Sequence, residues 1–495
     1  MEKFDVIVIG SGPAGFAAAM RAVDFEQKVC IIEKNEIGGA GVMHGALTSK
    51  TMWELSSDYA VATNTTRGYH SLGIKVDYNE VRKTIIQAAK EKQYQILSQI
   101  ETFSPNKRAK GSITLKYGSA RFVTKHVIEV KSAQNEITEL WGENIIVATG
   151  SKPREYPNLP TDQERIINSD GILNLKKFPE RLLIIGSGII GCEFATIFSN
   201  FKQTEVHLLD RTNRVLPYED EDVSEFVSKN LEKNGVKIHY TATLRSVRTK
   251  DDALEIVLDY TDGHSKVFEV DTALIAIGRV PNTEGLELHN AGIIPCERGF
   301  VRIDNTCTAK NEHNICNIFA AGDIAGSAQL VSVAELEGRY AAKAIVKTAQ
   351  HSLDYSNMST LMFFKPEVAA VGMNEKMLRE RKIPYKMAWY SNAMVNRTIA
   401  MRSTTGFIKI MISDDAEQRI LGMRAAGPQA SAFIASIAHF INQGNMLKEV
   451  MQTIHPHPSV TEGIQECLRL FENKSIFKPE AFPDYIRVRR WSPEE

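Results

Sequence analysis

The sequence predicts an α/β fold, and three observations carry that expectation. An apolar run near the N-terminus, Phe4–Ile9, leads at once into a glycine-rich turn and an alanine-rich helical stretch. The same order recurs from Arg181–Ile185. The chain has 495 residues, room for two to four domains of about 100–200 residues each. With 43% hydrophobic residues, sizeable cores can be buried and whole-chain disorder is excluded.

Charge and cysteine usage narrow the class further. Lys plus Arg number 59 and Asp plus Glu 60, a net charge of −1, which argues against a nucleic-acid binder. No apolar run reaches the roughly 20 residues needed to span a bilayer, so no transmembrane segment is expected. The N-terminal run contains Asp5 and is broken by Gly10, Gly12 and Pro13, unlike a secretion signal. Six cysteines are scattered, at Cys30, Cys192, Cys296, Cys307, Cys316 and Cys467, with no C-x-x-C pair. Neither a metal site nor a disulfide framework is signalled, and a reducing, cytoplasmic setting is expected.

The first forty residues form one motif in context. The strand Phe4–Ile9 runs into Gly10-Ser11-Gly12-Pro13-Ala14-Gly15, a helix follows, and the strand Val29–Ile32 ends at Glu33. A G-x-G-x-x-G turn between strand and helix, with an acid at the end of the second strand, is a dinucleotide-binding fingerprint. Gly10 permits the tight turn, Gly12 lets the backbone approach a pyrophosphate, and Gly15 permits close helix packing. The helix N-terminus offers N–H groups and positive dipole to phosphate, and Glu33 can accept from a ribose.

A second copy follows. Arg181–Ile185 leads into Gly186-Ser187-Gly188-Ile189-Ile190-Gly191, a helix through Glu193, and the strand Val206–Leu209 ending at Asp210. Two such Rossmann-like units predict two nucleotides held by one chain for electron transfer between them. Asp210 suits the ribose 2′-OH of NAD and repels a 2′-phosphate, so NADH is favoured. Arg211 and Arg214 keep NADP in play. Two further apolar runs end in glycine, at Ala148-Thr149-Gly150 and at Gly278, and a third ends in Gly322-Asp323.

With these motifs in order, the chain resembles the pyridine nucleotide–disulfide oxidoreductases, above all the dihydrolipoamide dehydrogenase branch, nearly to Leu470. The resemblance implies FAD and NAD(P)H as cofactors. It implies FAD contacts at Gly10, Gly12, Gly15, Glu33, Ala120, Gly150 and Asp323, with Val331 near the isoalloxazine. It implies NAD(P) contacts at Gly186, Gly188, Gly191, Asp210 and Gly278. Gly38-Gly39 through Ser49-Lys50 resembles the active-site helix. Lys50 is implied beside the flavin with Glu193 as its partner, and His457 with Glu462 resembles the C-terminal catalytic pair.

The implied organisation is an FAD-binding domain at residues 1–155 and 286–350, an NAD(P)-binding domain at 156–285, an α+β dimerisation domain at 351–480, and a tail at 481–495. Relatives form homodimers in which this third domain reaches the partner's flavin. Within the segments, the periodicity predicts a helix over Asp77–Ser104, a strand at Phe407–Ile412 and a helix over Ala430–Asn442. The tail, rich in aromatics and arginines, is expected to be a strap packed on the dimer.

One departure bears on function. The family's active-site helix reads G-G-x-C-x-x-x-x-C-x-x-S-K, and this chain has Gly41 and Ala46 where the cysteines stand. A disulfide relay needs a thiolate to attack sulfur, which neither residue supplies. Restoring both, Gly41→Cys with Ala46→Cys, is the change expected to bring a disulfide back. Without it, the expected enzyme is an NAD(P)H dehydrogenase whose reduced FAD serves a small-molecule acceptor directly, a quinone by likeness to cysteine-free relatives that look like quinone reductases. A transhydrogenase and a non-catalytic FAD-binding scaffold or redox sensor are the alternatives. Retained Lys50, Glu193, His457 and Glu462 count against the scaffold. His44 is expected to be surface decoration.

Overall fold

The structure is a computed structural model that describes residues 1–68, 70, 73–157, 159–311 and 316–493. It divides into two compact units, one of Met1–Leu55, Ser71–Phe178 and Ile277–Leu353, the other of Ser56–His70, Pro179–Ala276 and Asp354–Glu495.

In the first unit, Glu2–Ile9 lies at the centre of a sheet, parallel to Lys28–Glu33 on one side and to Ile137–Val147 on the other. Ser112–Tyr117 extends it beyond Lys28–Glu33, and Ile318–Ala320 runs parallel to Ile137–Val147. Strand alternation explains why the central run is apolar throughout. Val6 and Val8 face a layer containing Ala14, Ala18 and Ala22 of the helix Pro13–Asp24. Ile7 and Ile9 face the other way, into a layer with Phe122, Ile128 and Val130. Small residues let the helix Val331–Ile345 close on Pro13–Asp24, since any Cβ at Gly338 would run into the Ala14 carbonyl. The predicted Asp77–Ser104 helix spans Tyr78–Thr102, and Asp77 caps it by accepting from Asn79 N–H at 2.7 Å.

The second unit repeats the parallel pattern. Arg181–Ile185 lies between Glu205–Leu209 and Thr272–Ile275, and Lys237–His239 extends the sheet. A three-stranded antiparallel ribbon, Ala242–Lys250, Ala253–Tyr260 and Ser265–Val270, follows. Beyond it lies a six-stranded sheet backed by the helices Ala430–Gln443 and Glu462–Leu470, with a core around Ile410, Met423, Phe433 and Ile437.

The last strand of that sheet differs from the expected strap. Ile486–Trp491 pairs antiparallel with Tyr385–Ser391, so the tail completes the sheet as its edge. Ile486 is buried, Trp491 stacks on Tyr385, and the Arg487 guanidinium lies 4.1 Å from the Trp389 ring centroid.

A buried charge cluster ties this sheet to the segment after Asp210. Lys409, fully buried, meets Asp220 at 2.7 Å, Asp222 at 2.7 Å and Glu375 at 3.3 Å. Burial alone would discharge the lysine, but the three carboxylates outweigh it and hold its pKa above the usual range. Arg424 pairs with Glu219 at 2.9 Å in the same layer.

Candidate functional site

The two glycine turns are built alike, and their glycines do different work. Gly10 has φ +105°, and a Cβ there would lie 2.9 Å from the Ala148 carbonyl carbon. Gly15 is closed by the Gly10 carbonyl in the same way. At Gly12, by contrast, an added Cβ would meet nothing within 4 Å. The chain's own packing therefore demands glycine at 10 and 15, while Gly12 leaves open space where a phosphate can approach the backbone. In the second turn Gly186 has φ +106° and Gly191 is closed by Gly186. Gly188 is open except for the Tyr218 hydroxyl, 3.9 Å from an added Cβ.

Each strand-end acid is fixed by the serine inside its turn, a feature the sequence motif did not single out. Glu33 Oε2 accepts from Ser11 N–H at 2.9 Å and from Ser11 Oγ at 2.5 Å, and its Oε1 accepts from Asn35 N–H at 2.8 Å. Asp210 Oδ2 accepts from Ser187 N–H at 2.8 Å and Oγ at 2.6 Å, while Oδ1 accepts from Thr212 N–H and Oγ1. Burial would raise the Asp210 pKa, but these donors outweigh it and keep the carboxyl below the usual range. The repeat of serine between the glycines was the available signal for both contacts.

The two arginines after Asp210 part company. Arg214 turns into its own loop and donates to the carbonyls of Pro217 at 3.0 Å and Glu219 at 3.1 Å. Arg211 is exposed.

Asp323 sits at the end of Ile318–Ala320, in the first unit. Ser151 Oγ donates to its Oδ2 at 2.5 Å, and Arg279 holds Ser151 through Oγ and the carbonyl, both at 2.7 Å. Gly322 N–H donates to the fully buried Glu337 at 2.7 Å, which fixes the turn. Ala120 is on the Ser119–Phe122 strand, Gly150 takes φ +66°, and Val331 opens its helix 38% exposed. Gly278, which the resemblance implies as an NAD(P) contact, lies in the first unit, where its carbonyl accepts from Arg154 N–H.

Positions 41 and 46 carry no thiol. Gly41 lies in the short helix Gly39–Val42, and a Cβ there would lie 2.5 Å from Pro13 Cγ. Ala46 starts the helix Ala46–Ala62, which carries Lys50, whose Nζ donates to Ser49 Oγ at 3.3 Å. His44 is exposed and 3.7 Å from Glu36. Cys192 and Cys467 are buried, with thiols directed at the Ser187 and Ala388 carbonyls, and burial pushes both thiol pKa values up. They are poor thiolates.

In the second unit, Glu193 is buried and accepts from Phe363 N–H at 3.1 Å. His457 Nδ1 bonds Glu462 Oε1 at 2.7 Å, and Ser459 N–H donates to Oε2 at 2.9 Å. Burial works to raise the Glu462 pKa, yet the bonds from His457 and Ser459 prevail and lower it. Among the described residues, no group of three or more His, Cys, Asp and Glu side chains could hold a metal ion. No helix among them is long and apolar enough to cross a membrane.

Two dinucleotide turns, each with an acid at the end of its second strand, and a separate α+β sheet define an oxidoreductase of the two-nucleotide class. Residues 4–338 match the pyridine nucleotide-disulphide oxidoreductase family, and residues 358–468 match that family's dimerisation domain. The chain is 32% identical over 484 residues to dihydrolipoyl dehydrogenase from Chlamydia muridarum, covering 97% of this chain and 99% of the relative. It is 32% identical over 465 residues to dihydrolipoyl dehydrogenase from Bacillus subtilis, covering 94% and 95%. Among solved structures, LpdA from Mycobacterium tuberculosis superposes with a TM-score of 0.85 at 25% identity, covering 95% of this chain and all of that one. The HOCl-induced flavoprotein disulfide reductase RclA from Escherichia coli, solved as its Cu(II) complex, gives 0.82 at 25% identity with the same coverage. The chain belongs to the pyridine nucleotide-disulphide oxidoreductase family. That family uses FAD and NAD(P)H. The open face at Gly12, the serine-held Glu33 and the braced Asp323 fit the dinucleotide with its ribitol chain.

Proposed function

We propose that this protein is an FAD-dependent NADH oxidoreductase that has lost the redox disulfide and delivers electrons directly to a quinone. The net reaction is NADH plus H⁺ plus quinone giving NAD⁺ plus quinol. The observation that carries this reading is Gly41: it has no sulfur, and its Cβ direction is filled by Pro13. FAD, when bound, accepts the hydride equivalent from NADH and passes two electrons on.

The residues divide the remaining tasks. Gly10, Gly12 and Gly15 form the phosphate cradle, Glu33 serves a ribose and Asp323 the ribitol hydroxyls. Lys50 supplies positive charge where electron density accumulates. Asp210, kept ionised by four donors, selects the ribose 2′-OH of NADH and repels a 2′-phosphate. The engagement of Arg214 with carbonyls counts against an NADP-taking transhydrogenase. Glu462 orients His457 through Nδ1, leaving Nε2 to hand a proton to the quinone oxygen. The working form is a homodimer through residues 358–468.

The test compares two assays on the purified holoenzyme. NADH with a small benzoquinone is expected to give sustained turnover, and dihydrolipoamide with NAD⁺ only residual activity. Dihydrolipoamide oxidation at a comparable rate would overturn the proposal.

A further inference from the structure

The first N–H of the Ile189–Phe201 helix already has a partner. Ile189 N–H donates to the Tyr218 hydroxyl at 3.2 Å. At the same place in the first turn stands Pro13, which has no N–H to satisfy. One unit thus removes this orphan donor, and the other caps it with a phenol brought from elsewhere in the chain.

Tyr218 is held firmly for that task. Leu216 takes φ +48° and donates its N–H to the Ser187 carbonyl at 3.0 Å. Arg214 grips the carbonyls of Pro217 and Glu219 on either side of Tyr218. Asn374 Nδ2 donates to the Tyr218 carbonyl itself at 3.0 Å. Next along, Glu219 pairs with Arg424 and Asp220 with Lys409, both buried. Tyr218 nevertheless stays 47% exposed, so burying its ring is not what this bracing achieves.

We propose that Tyr218 is a positioning residue for the pyrophosphate of the nicotinamide nucleotide, an inference that rests on reading the second unit as the NADH site. The phenol oxygen takes the Ile189 N–H on a lone pair, which leaves its own O–H to donate to a phosphate oxygen beside Gly188. The helix's N-terminal donor is carried outward through one hydroxyl to an anion. Between turnovers the same hydroxyl keeps the Ile189 N–H satisfied.

The experiment is anaerobic rapid mixing of the holoenzyme and its Tyr218→Phe variant with NADH. The apparent Kd for NADH is expected to rise about tenfold, the effect of losing one hydrogen bond to a charged group, while the limiting rate of flavin reduction stays within about twofold. ADP-ribose should lose affinity in parallel. N-benzyl-1,4-dihydronicotinamide, a hydride donor without phosphate, should reduce both proteins equally. An unchanged Kd for NADH, or tighter binding by the variant, would overturn the role of Tyr218, as would an equal loss with the benzyl donor. If the unmodified holoenzyme is not reduced by NADH at all, the assignment of the nucleotide site fails first. If it is reduced and the variant binds as well, only Tyr218 is misassigned.

Discussion

At position 41 a side chain meets Pro13, with 2.5 Å to its Cγ and 3.1 Å to its Cδ from an added Cβ. Pro13 is the first residue of its helix, with a fixed φ, so it has little room to withdraw. This changes the expectation that two substitutions would bring a disulfide back. Gly41→Cys with Ala46→Cys is expected to leave two titratable thiols after oxidation and no thiol-to-flavin charge-transfer absorbance. Adding Pro13→Ala, which removes Cγ and Cδ, is the background in which the disulfide should form. Quantitative disulfide in the double variant alone would refute the packing account. The glycines and the strand-end acids were legible in the sequence because each follows from backbone geometry at fixed spacing. Ser11, Ser187 and Tyr218 were not singled out. A serine between glycines reads as a small turn residue, and Tyr218 reaches Ile189 only through a loop shaped by Arg214 and Asn374.

Two neighbouring strands, Glu205–Leu209 and Lys237–His239, carry a hydrogen-bonded chain of side chains. His207 bonds Glu205 at 2.8 Å and His239 at 2.9 Å, and His239 bonds the Tyr260 hydroxyl at 2.6 Å. Both imidazoles are buried and lie against Phe268. Burial, then the adjacent His207 and two lysines, pushes the His239 pKa down to about 4. Burial lowers His207 as well, against the pull of Glu205. The unfolded chain takes up these protons near the ordinary histidine value of about 6.5, so between about 6.5 and 4 it binds more protons than the fold does. Their contribution to stability is complete above that window and is lost as pH falls through it. Melting temperature should therefore drop across it, with a shallower slope in His239→Gln; equal slopes would remove the pair from the account. Strands of this parallel kind were legible because burial on both faces makes them continuous apolar runs. Ile486–Trp491 escaped notice because Arg487, Arg489 and Arg490 crowd it. Its strand character comes from a distant edge and from the Trp389 ring under Arg487.

Across the whole molecule, the proposed route divides into a reductive half that needs the nucleotide turns and an oxidative half that needs a proton at the acceptor. His457, with 63% of its side chain exposed and Nδ1 held by Glu462, belongs to the second half. His457→Ala is expected to lower quinone turnover about a hundredfold, a usual size for losing a general acid. It should leave flavin reduction by NADH in rapid mixing unchanged. A variant that slows reduction as much as turnover would return His457 to a structural role. The family and its cofactors were legible because the motifs fall in order along one chain. The acceptor was not, because a missing thiol says what cannot happen and not what replaces it.

The ion cluster around Lys409 has a consequence for anyone recombining such proteins. Excising residues 179–276 as a free-standing nucleotide binder would expose Glu219, Asp220 and Asp222 without counter-ions, strip Lys409 of two of its three carboxylates and leave Arg424 without its carboxylate inside the remaining sheet. Removing one side of a buried pair costs about 3–5 kcal/mol, and here two such sites would be opened at once. The segment is not a transplantable module. A chimera between relatives must inherit the acids and their basic partners from the same parent, so the boundaries near 156 and 285 that the family resemblance implies are the wrong places to cut.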